Sequence, residues 1–330
     1  MKLKVSNNFD ILRLILAVLV FFAHWNILTS QDISNQLFHL SGYAVHMFFI
    51  VSGFLIFWSF DADQTKKHFY IKRFFRIFPL YAFLIILQTL FFIGFSDGST
   101  FEVIKYFIAN IFFLNFLAPS VGSTLSSLEV NAINGSLWTL KNEVVFYLIV
   151  PLLFMFYKKW GGYILLILYS LSVAYMFAVD YLGIEKLLVQ FPAQVRLFMV
   201  GILLYILFDK FNKKNIYFLA IVSLILLIVL KDNTSFNYIL YPFCIGFVMI
   251  FLVYFVKNIQ VNFDFSYSLY ILHFPVIQLA LYFEINPTNP IISFVVLFAV
   301  ILVLSYFSEK YIEKRFIKIG REIVKKDRSA

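Results

Sequence analysis

Cysteine is nearly missing: Cys244 is the single one, so no intramolecular disulfide can staple the fold and no multi-cysteine metal site or dithiol chemistry can be built. Set in an apolar run, it reads as a small buried hydrophobe. Charge is scarce as well. Only 14% of the residues are charged, against roughly 25% in an ordinary soluble domain, while 62% are apolar and 21% aromatic, with a mean hydropathy of +0.87. That balance excludes a water-soluble fold, which could not hide so much apolar surface. No stretch between apolar runs is long enough for an independent core of roughly 50 residues. Internal repeats and low-complexity segments are absent, and with them the weak sequence signs of an inverted-repeat transporter.

What charge there is leans positive, with a net +9 and a pI near 9.3. The basic residues sit in short clusters between apolar runs, which suits membrane orientation rather than nucleic-acid binding. A bilayer core of about 30 Å needs about 20 mainly apolar residues per helix. Runs of that kind fall near 9–28, 42–60, 77–95, 141–157, 161–179, 194–209, 215–230, 237–256, 265–284 and 290–308. The first resembles a signal peptide behind Lys2 and Lys4. It holds Asp10, Arg13 and His24, however, and lacks a clear small-residue cleavage site, so it reads as a retained helix. The fold class is therefore all-α, a polytopic transmembrane helical bundle of about ten helices.

An eleventh apolar stretch, 102–118, would reverse every later helix if it spanned. With ten spans, 21 of the 27 Lys and Arg residues fall on one side, including Lys66, Lys67, Lys72, Arg73, Arg76, Lys158, Lys159, Lys210, Lys213, Lys214 and Lys257. Positive residues stay inside, which places both termini in the cytoplasm of a multi-pass cell-membrane protein and makes 102–118 a re-entrant or interfacial segment. Two regions follow: a membrane domain over 1–308 and a tail over 309–330. In the tail, Lys and Arg alternate with Ile312, Phe316, Ile319, Ile323 and Val324, the spacing of a basic amphipathic helix on the inner leaflet.

Ionisable groups within membrane helices cost at least ~2.5–3.5 kcal/mol each at mid-helix, so each asks for a reason. Asp10 and Arg13 stand one turn apart and can pair. Arg13 and His24 are eleven residues apart, about three turns, so they share one helix face about 16 Å apart along the axis. Arg13 on its own reads equally as a snorkelling side chain, and His24 as an interfacial hydrogen-bonding residue. His46 in the second run lines the same outer cavity or serves the structure, while Ser52 and Gly53 read as small residues for close helix approach. Arg73 and Arg76, one turn apart, can grip a common phosphate or act as positive-inside anchors. Glu143 enters the membrane from outside, where a carboxylate can steady a protonated imidazole or simply mark a helix start. Trp138, Arg196 and His273 are further cavity candidates. For His273 a core histidine bonded to a neighbouring helix is the plainer reading, and Pro275 marks a kink. No metal-ligand cluster is expected.

The order of these motifs resembles the acyltransferase-3 family of membrane acyltransferases. Asp10, Arg13 and His24 match an Asp-x-x-Arg and Arg-x10-His pattern. Phe48 to Ile56, Arg73 to Tyr81, Trp138 to Tyr147, Arg196 to Gly201 and Ser266 to His273 match the family's later elements. His46 departs from the family, where an acidic or small residue often precedes the Phe-Phe pair. The resemblance implies transfer of an acyl group, usually acetyl from acetyl-CoA, onto a hydroxyl of a cell-surface or exported carbohydrate, with His24 catalytic. No resident cofactor is implied; acyl-CoA is a substrate. Fused members carry an extracellular hydrolase-like domain after the last helix, so this chain is expected to act alone or with a separate extracytoplasmic partner enzyme.

From the residues alone, a basic cytoplasmic mouth at Arg73 and Arg76 suits an anionic thioester taken from inside, and with the donor that the resemblance implies it would hold the phosphates of CoA, with Arg13 deeper. His24 suits a general base, and Glu143 its partner. The same features fit a proton-coupled exporter of a polysaccharide or lipid-linked sugar.

Overall fold

The computed structural model describes residues 7–31, 35–259, 264–285 and 289–329, with side chains described throughout except at 35–39. Lys2 and Lys4 lie outside the described residues. Among the described residues thirteen α-helices follow one another: α1 Phe9–Thr29, α2 Asn35–Ala62, α3 Lys66–Phe95, α4 Thr100–Ile111, α5 Leu137–Trp160, α6 Tyr163–Tyr181 and α7 Phe191–Leu207, then α8 Lys213–Val229, α9 Thr234–Ile239, α10 Tyr241–Tyr254, α11 Ser266–Tyr282, α12 Pro290–Ser308 and α13 Lys314–Ser329. Among the described residues there is no strand.

Among the described residues seven helices are long and apolar enough to cross a bilayer: α1, α2, α3, α5, α6, α7 and α12, the last running on without a break into α13. The other three expected runs form shorter helices, α8 and α11 of 17 residues each and α10 of 14. The run near 237–256 is divided because Pro242 offers no backbone N–H to continue α9. Asn233 caps α9, its side chain accepting from the N–H of Phe236.

The ambiguous stretch 102–118 forms α4 and then leaves the helix. Ser99 and Glu102 make a reciprocal capping box at its start, which satisfies two orphan donors. At 12 residues α4 is about 18 Å long, too short for the hydrocarbon core. Asp97 then clasps the segment that follows, accepting from the backbone and hydroxyl of Ser123 and from Thr124. Those bonds, the Ser123 hydroxyl foremost, hold its carboxyl below the usual carboxylate range. Beneath, Phe91, Phe92, Tyr106, Val121, Leu125 and Ile133 form a small core, with the Tyr106 hydroxyl donating to the side-chain Oε1 of Gln88.

The helices sort into two compact units. One takes the described residues within Met1–Leu16, Gly42–Phe69 and Asn142–Asn262; the other those within Ala17–Ser41, Tyr70–Lys141 and Phe263–Ala330. In the first unit α6 packs on α7, and α10 on both α7 and α8. There α2 and α7 come close to backbone contact. A β-carbon added at Gly53 would stand 2.3 Å from the Phe198 carbonyl oxygen, and one at Gly201 would stand 2.2 Å from that of Ile50. The expected packing role of Gly53 is met, and Gly201 is its counterpart. Because backbone cannot yield as a side-chain tip can, Gly53→Ala is expected to cost about 1–3 kcal/mol, read as a lowered Tm in detergent.

In the second unit α11 packs on α12. The chain passes through a π-helical turn, Glu309–Glu313, into α13. This final helix is the amphipathic tail expected from sequence. It docks on α3, where Phe316 stacks with Phe75, and Gly320 leaves room for the same ring.

Candidate active site

Two of the five histidines meet in the second unit. His24 projects from α1 and His273 from α11, and their Nδ1 and Nε2 atoms are 2.7 Å apart. The rings are inclined by only 17° with centroids 4.9 Å apart, so the two nitrogens meet edge to edge, the geometry of an in-plane N–H···N bond. His273 is fully buried, while His24 keeps part of its surface open. Aromatic rings wall the pair: Phe274 stands edge-on to His24 at 5.0 Å and Phe21 edge-on to His273 at 6.3 Å. Phe294 and Phe298 pack on Phe21 in turn.

The turn of α11 that carries His273 is held from outside the helix. Pro275 has no N–H, so the Ile271 carbonyl loses its intrahelical donor. Asn134 fills the gap, its Nδ2 donating to that oxygen at 3.0 Å. Asn134 Oδ1 in turn accepts from the Ser136 hydroxyl at 2.6 Å. Between them, Gly135 lies flat against the ring of Phe274, where a β-carbon would come within 2.7 Å of two ring carbons. One turn on, Thr139 Oγ1 donates to the Ser136 carbonyl, which leaves the Tyr270 hydroxyl to donate to Thr139 at 2.7 Å. Gln278 Nε2 donates to the carbonyls of Val130 and Ala132. Trp138, half-buried, sits in this first turn of α5. Thus the segment from Asn134 to Thr139 is fastened to α11 directly beside the two histidines.

The same unit holds Lys72, Arg73 and Arg76 of α3. Arg76 is paired with two carboxylates, Asp264 at 2.9 Å and Glu313 at 3.4 Å, and Lys314 binds the adjacent Glu309 at 2.8 Å. Lys72 and Arg73 are partly exposed there. Part of the positive charge at this mouth is therefore answered within the chain, by acids that the sequence reading passed over.

In the first unit Asp10 and Arg13 form the ion pair expected one turn apart, at 2.6 Å. Glu143, half-buried, accepts from the Ser52 hydroxyl at 3.1 Å and from the Tyr147 hydroxyl, both on the same carboxylate oxygen. His46 Nδ1 lies 2.7 Å from the Tyr241 hydroxyl. Arg196 is only 3% exposed; its Nη1 donates to the carbonyls of Asn237 and Tyr238. Those are end-of-helix oxygens of α9 left without intrahelical donors, and a cation suits that negative pole. Arg196 therefore has a structural task in fastening α9.

The pairing of His24 with His273 escaped the sequence reading although both were singled out, since 249 residues separate them. Asn134, Tyr270 and Thr139 were also missed as supports. The proline four residues after Ile271 was the available signal, because a buried carbonyl stripped of its donor demands one from elsewhere. Among the described residues no three His, Cys, Asp or Glu side chains are grouped to hold a metal ion.

A family model described as an acyltransferase domain matches residues 6–309. A protein of Shigella phage Sf6 named O-acetyl transferase is 30% identical over 339 residues, covering 94% of this chain and 96% of its own. Nodulation protein 10 of Rhizobium leguminosarum bv. viciae is 30% identical over 173 residues, 47% of this chain and 46% of that protein. No solved structure gives a significant match. A helical bundle with membrane-length helices, matched by the family over nearly its whole length, makes this a multi-pass membrane enzyme: the chain belongs to the acyltransferase-3 family and is an acyltransferase.

Proposed function

We propose that the chain carries an acetyl or similar short acyl group from acyl-CoA on the cytoplasmic side to a hydroxyl of a cell-surface or exported carbohydrate. The observation that carries this reading is His24, a partly open imidazole with one nitrogen hydrogen-bonded inside the protein, in a chain whose full-length relative is named an O-acetyl transferase. His24 removes the proton of the acceptor hydroxyl as its oxygen bonds to the thioester carbonyl carbon. The carbon–sulfur bond then breaks, and CoA leaves as a thiolate that takes up a proton. A positioned base of this kind typically contributes ~10²–10⁴ in rate.

The donor's phosphates are assigned to the basic cluster in the first turns of α3, with Arg73 and Arg76 as contacts, Arg76 being paired as well with Asp264 and Glu313. Arg13, one helix face and about 16 Å from His24, guides the pantetheine arm outward. Both termini are assigned to the cytoplasm by the distribution of basic residues.

Purified protein in lipid nanodiscs, given acetyl-CoA with and without a panel of bacterial cell-surface oligosaccharides, tests the reading. Free CoA thiol should appear together with acetylated sugar, and only when an acceptor is present. Sugar movement across proteoliposomes with no thiol release would identify an exporter instead.

A further inference from the structure

We infer that His273 is a positioning residue that fixes the tautomer of His24, so that Nε2 of His24 is the nitrogen that takes the acceptor proton. This rests on the reading of His24 as the base. The assignment starts at a backbone oxygen. Nδ1 of His273 lies 3.1 Å from the Leu269 carbonyl, and a carbonyl only accepts, so this Nδ1 carries the proton. A neutral imidazole has one N–H, which makes Nε2 of His273 a lone pair. That lone pair faces Nδ1 of His24 at 2.7 Å, so the proton between the rings belongs to His24. By the same bookkeeping, Nε2 of His24 is unprotonated, and among the described residues it has no hydrogen-bond partner.

The chain of bonds therefore runs from a helix carbonyl, through a fully buried imidazole, to a partly open one whose outer nitrogen is basic. The other tautomer of His24 would set two lone pairs against each other at 2.7 Å in an aromatic enclosure, where an unpaired polar atom is costly. Once His24 accepts a proton at Nε2, its Nδ1–H bond to His273 becomes charge-assisted and stronger, so this bond stabilises the charged intermediate more than it stabilises the resting state. The supports fit this role. Asn134 on the Ile271 carbonyl and Tyr270 on Thr139 hold the α11 turn, and Phe21 and Phe274 restrict the rings. The buried histidine thus does for His24 what the second hydrogen bond of a catalytic or metal-bound imidazole does generally, which is to select the working nitrogen.

Protein labelled with nitrogen-15 in its five histidine rings tests this, with each ring assigned by single substitution. His24 should show a protonated Nδ1 and a bare Nε2. His273→Leu should shift His24 toward the opposite tautomer and lower kcat by ~10²-fold with KM for acetyl-CoA unchanged. His273→Gln, which can present a carbonyl oxygen near the lost Nε2, should recover most of that loss. A wild-type spectrum with the proton on Nε2 of His24 would overturn the assignment even if the leucine variant failed to fold, and so would full activity in His273→Leu. If His24→Ala keeps normal turnover, it is the base reading that fails, whereas loss of turnover there with no effect at His273 removes only the present inference.

Discussion

His24→Ala is expected to reach the membrane and fold, yet to lose ~10²–10⁴-fold in acetyl transfer. The substitution strips His273 Nε2 of its donor, a penalty of about 1–3 kcal/mol, so a modestly lower Tm should accompany the loss. The rate effect is far larger than that destabilisation can produce in a protein that remains folded. Acetylated acceptor measured per mole of monodisperse protein separates the two. Turnover within a few-fold of wild type would remove His24 from the chemistry.

The second large effect belongs to the basic start of α3 and divides between its two arginines. Charge-assisted bonds to phosphate contribute about 1.5–3 kcal/mol, so Arg73→Gln should weaken acetyl-CoA binding about 10- to 100-fold, with acceptor affinity unchanged. Because Asp264 and Glu313 hold Arg76 at 2.9 and 3.4 Å, Arg76→Gln leaves two carboxylates facing each other, one of them almost fully buried. Its main result should be lost stability, of about 1–3 kcal/mol, since the pair is only partly shielded from solvent. Isothermal calorimetry with a parallel melt reads both. Raised salt should mimic Arg73→Gln in the wild-type protein by screening the donor's phosphates. Unchanged acetyl-CoA affinity in Arg73→Gln would return that residue to an anchoring role.

Much of the bundle was legible because membrane helices must be continuous and apolar, so hydropathy alone located ten runs at the positions where helices form. It could not see that Pro242 and the cap at Asn233 divide the run near 237–256. The stretch 102–118, which the charge distribution makes a re-entrant or interfacial segment, holds a capped helix of 12 residues, Thr100–Ile111. The site was legible residue by residue but not as an arrangement. Asp10 with Arg13 follows from helical spacing, which is local information. His24 with His273, and Arg76 with Asp264 and Glu313, come from residues 188 to 249 positions apart, and no periodicity carries that. Arg196, a buried cation in a membrane helix and so a cavity candidate by sequence, has as partners the carbonyls of Asn237 and Tyr238 near the end of a neighbouring short helix, which no local pattern shows.

Sidedness tests the central claim most directly. Inside-out membrane vesicles from the native host, sealed and supplied externally with acetyl-CoA labelled in both the acetyl and the adenine portions, present donor to the cytoplasmic face only. Acetyl label should accumulate on luminal glycan, adenine label should stay outside as free CoA, and vesicles carrying His24→Ala should show neither change. Adenine label entering the lumen, or luminal acetylation that persists at the wild-type rate with His24→Ala, would contradict acyl transfer through the bundle at this histidine.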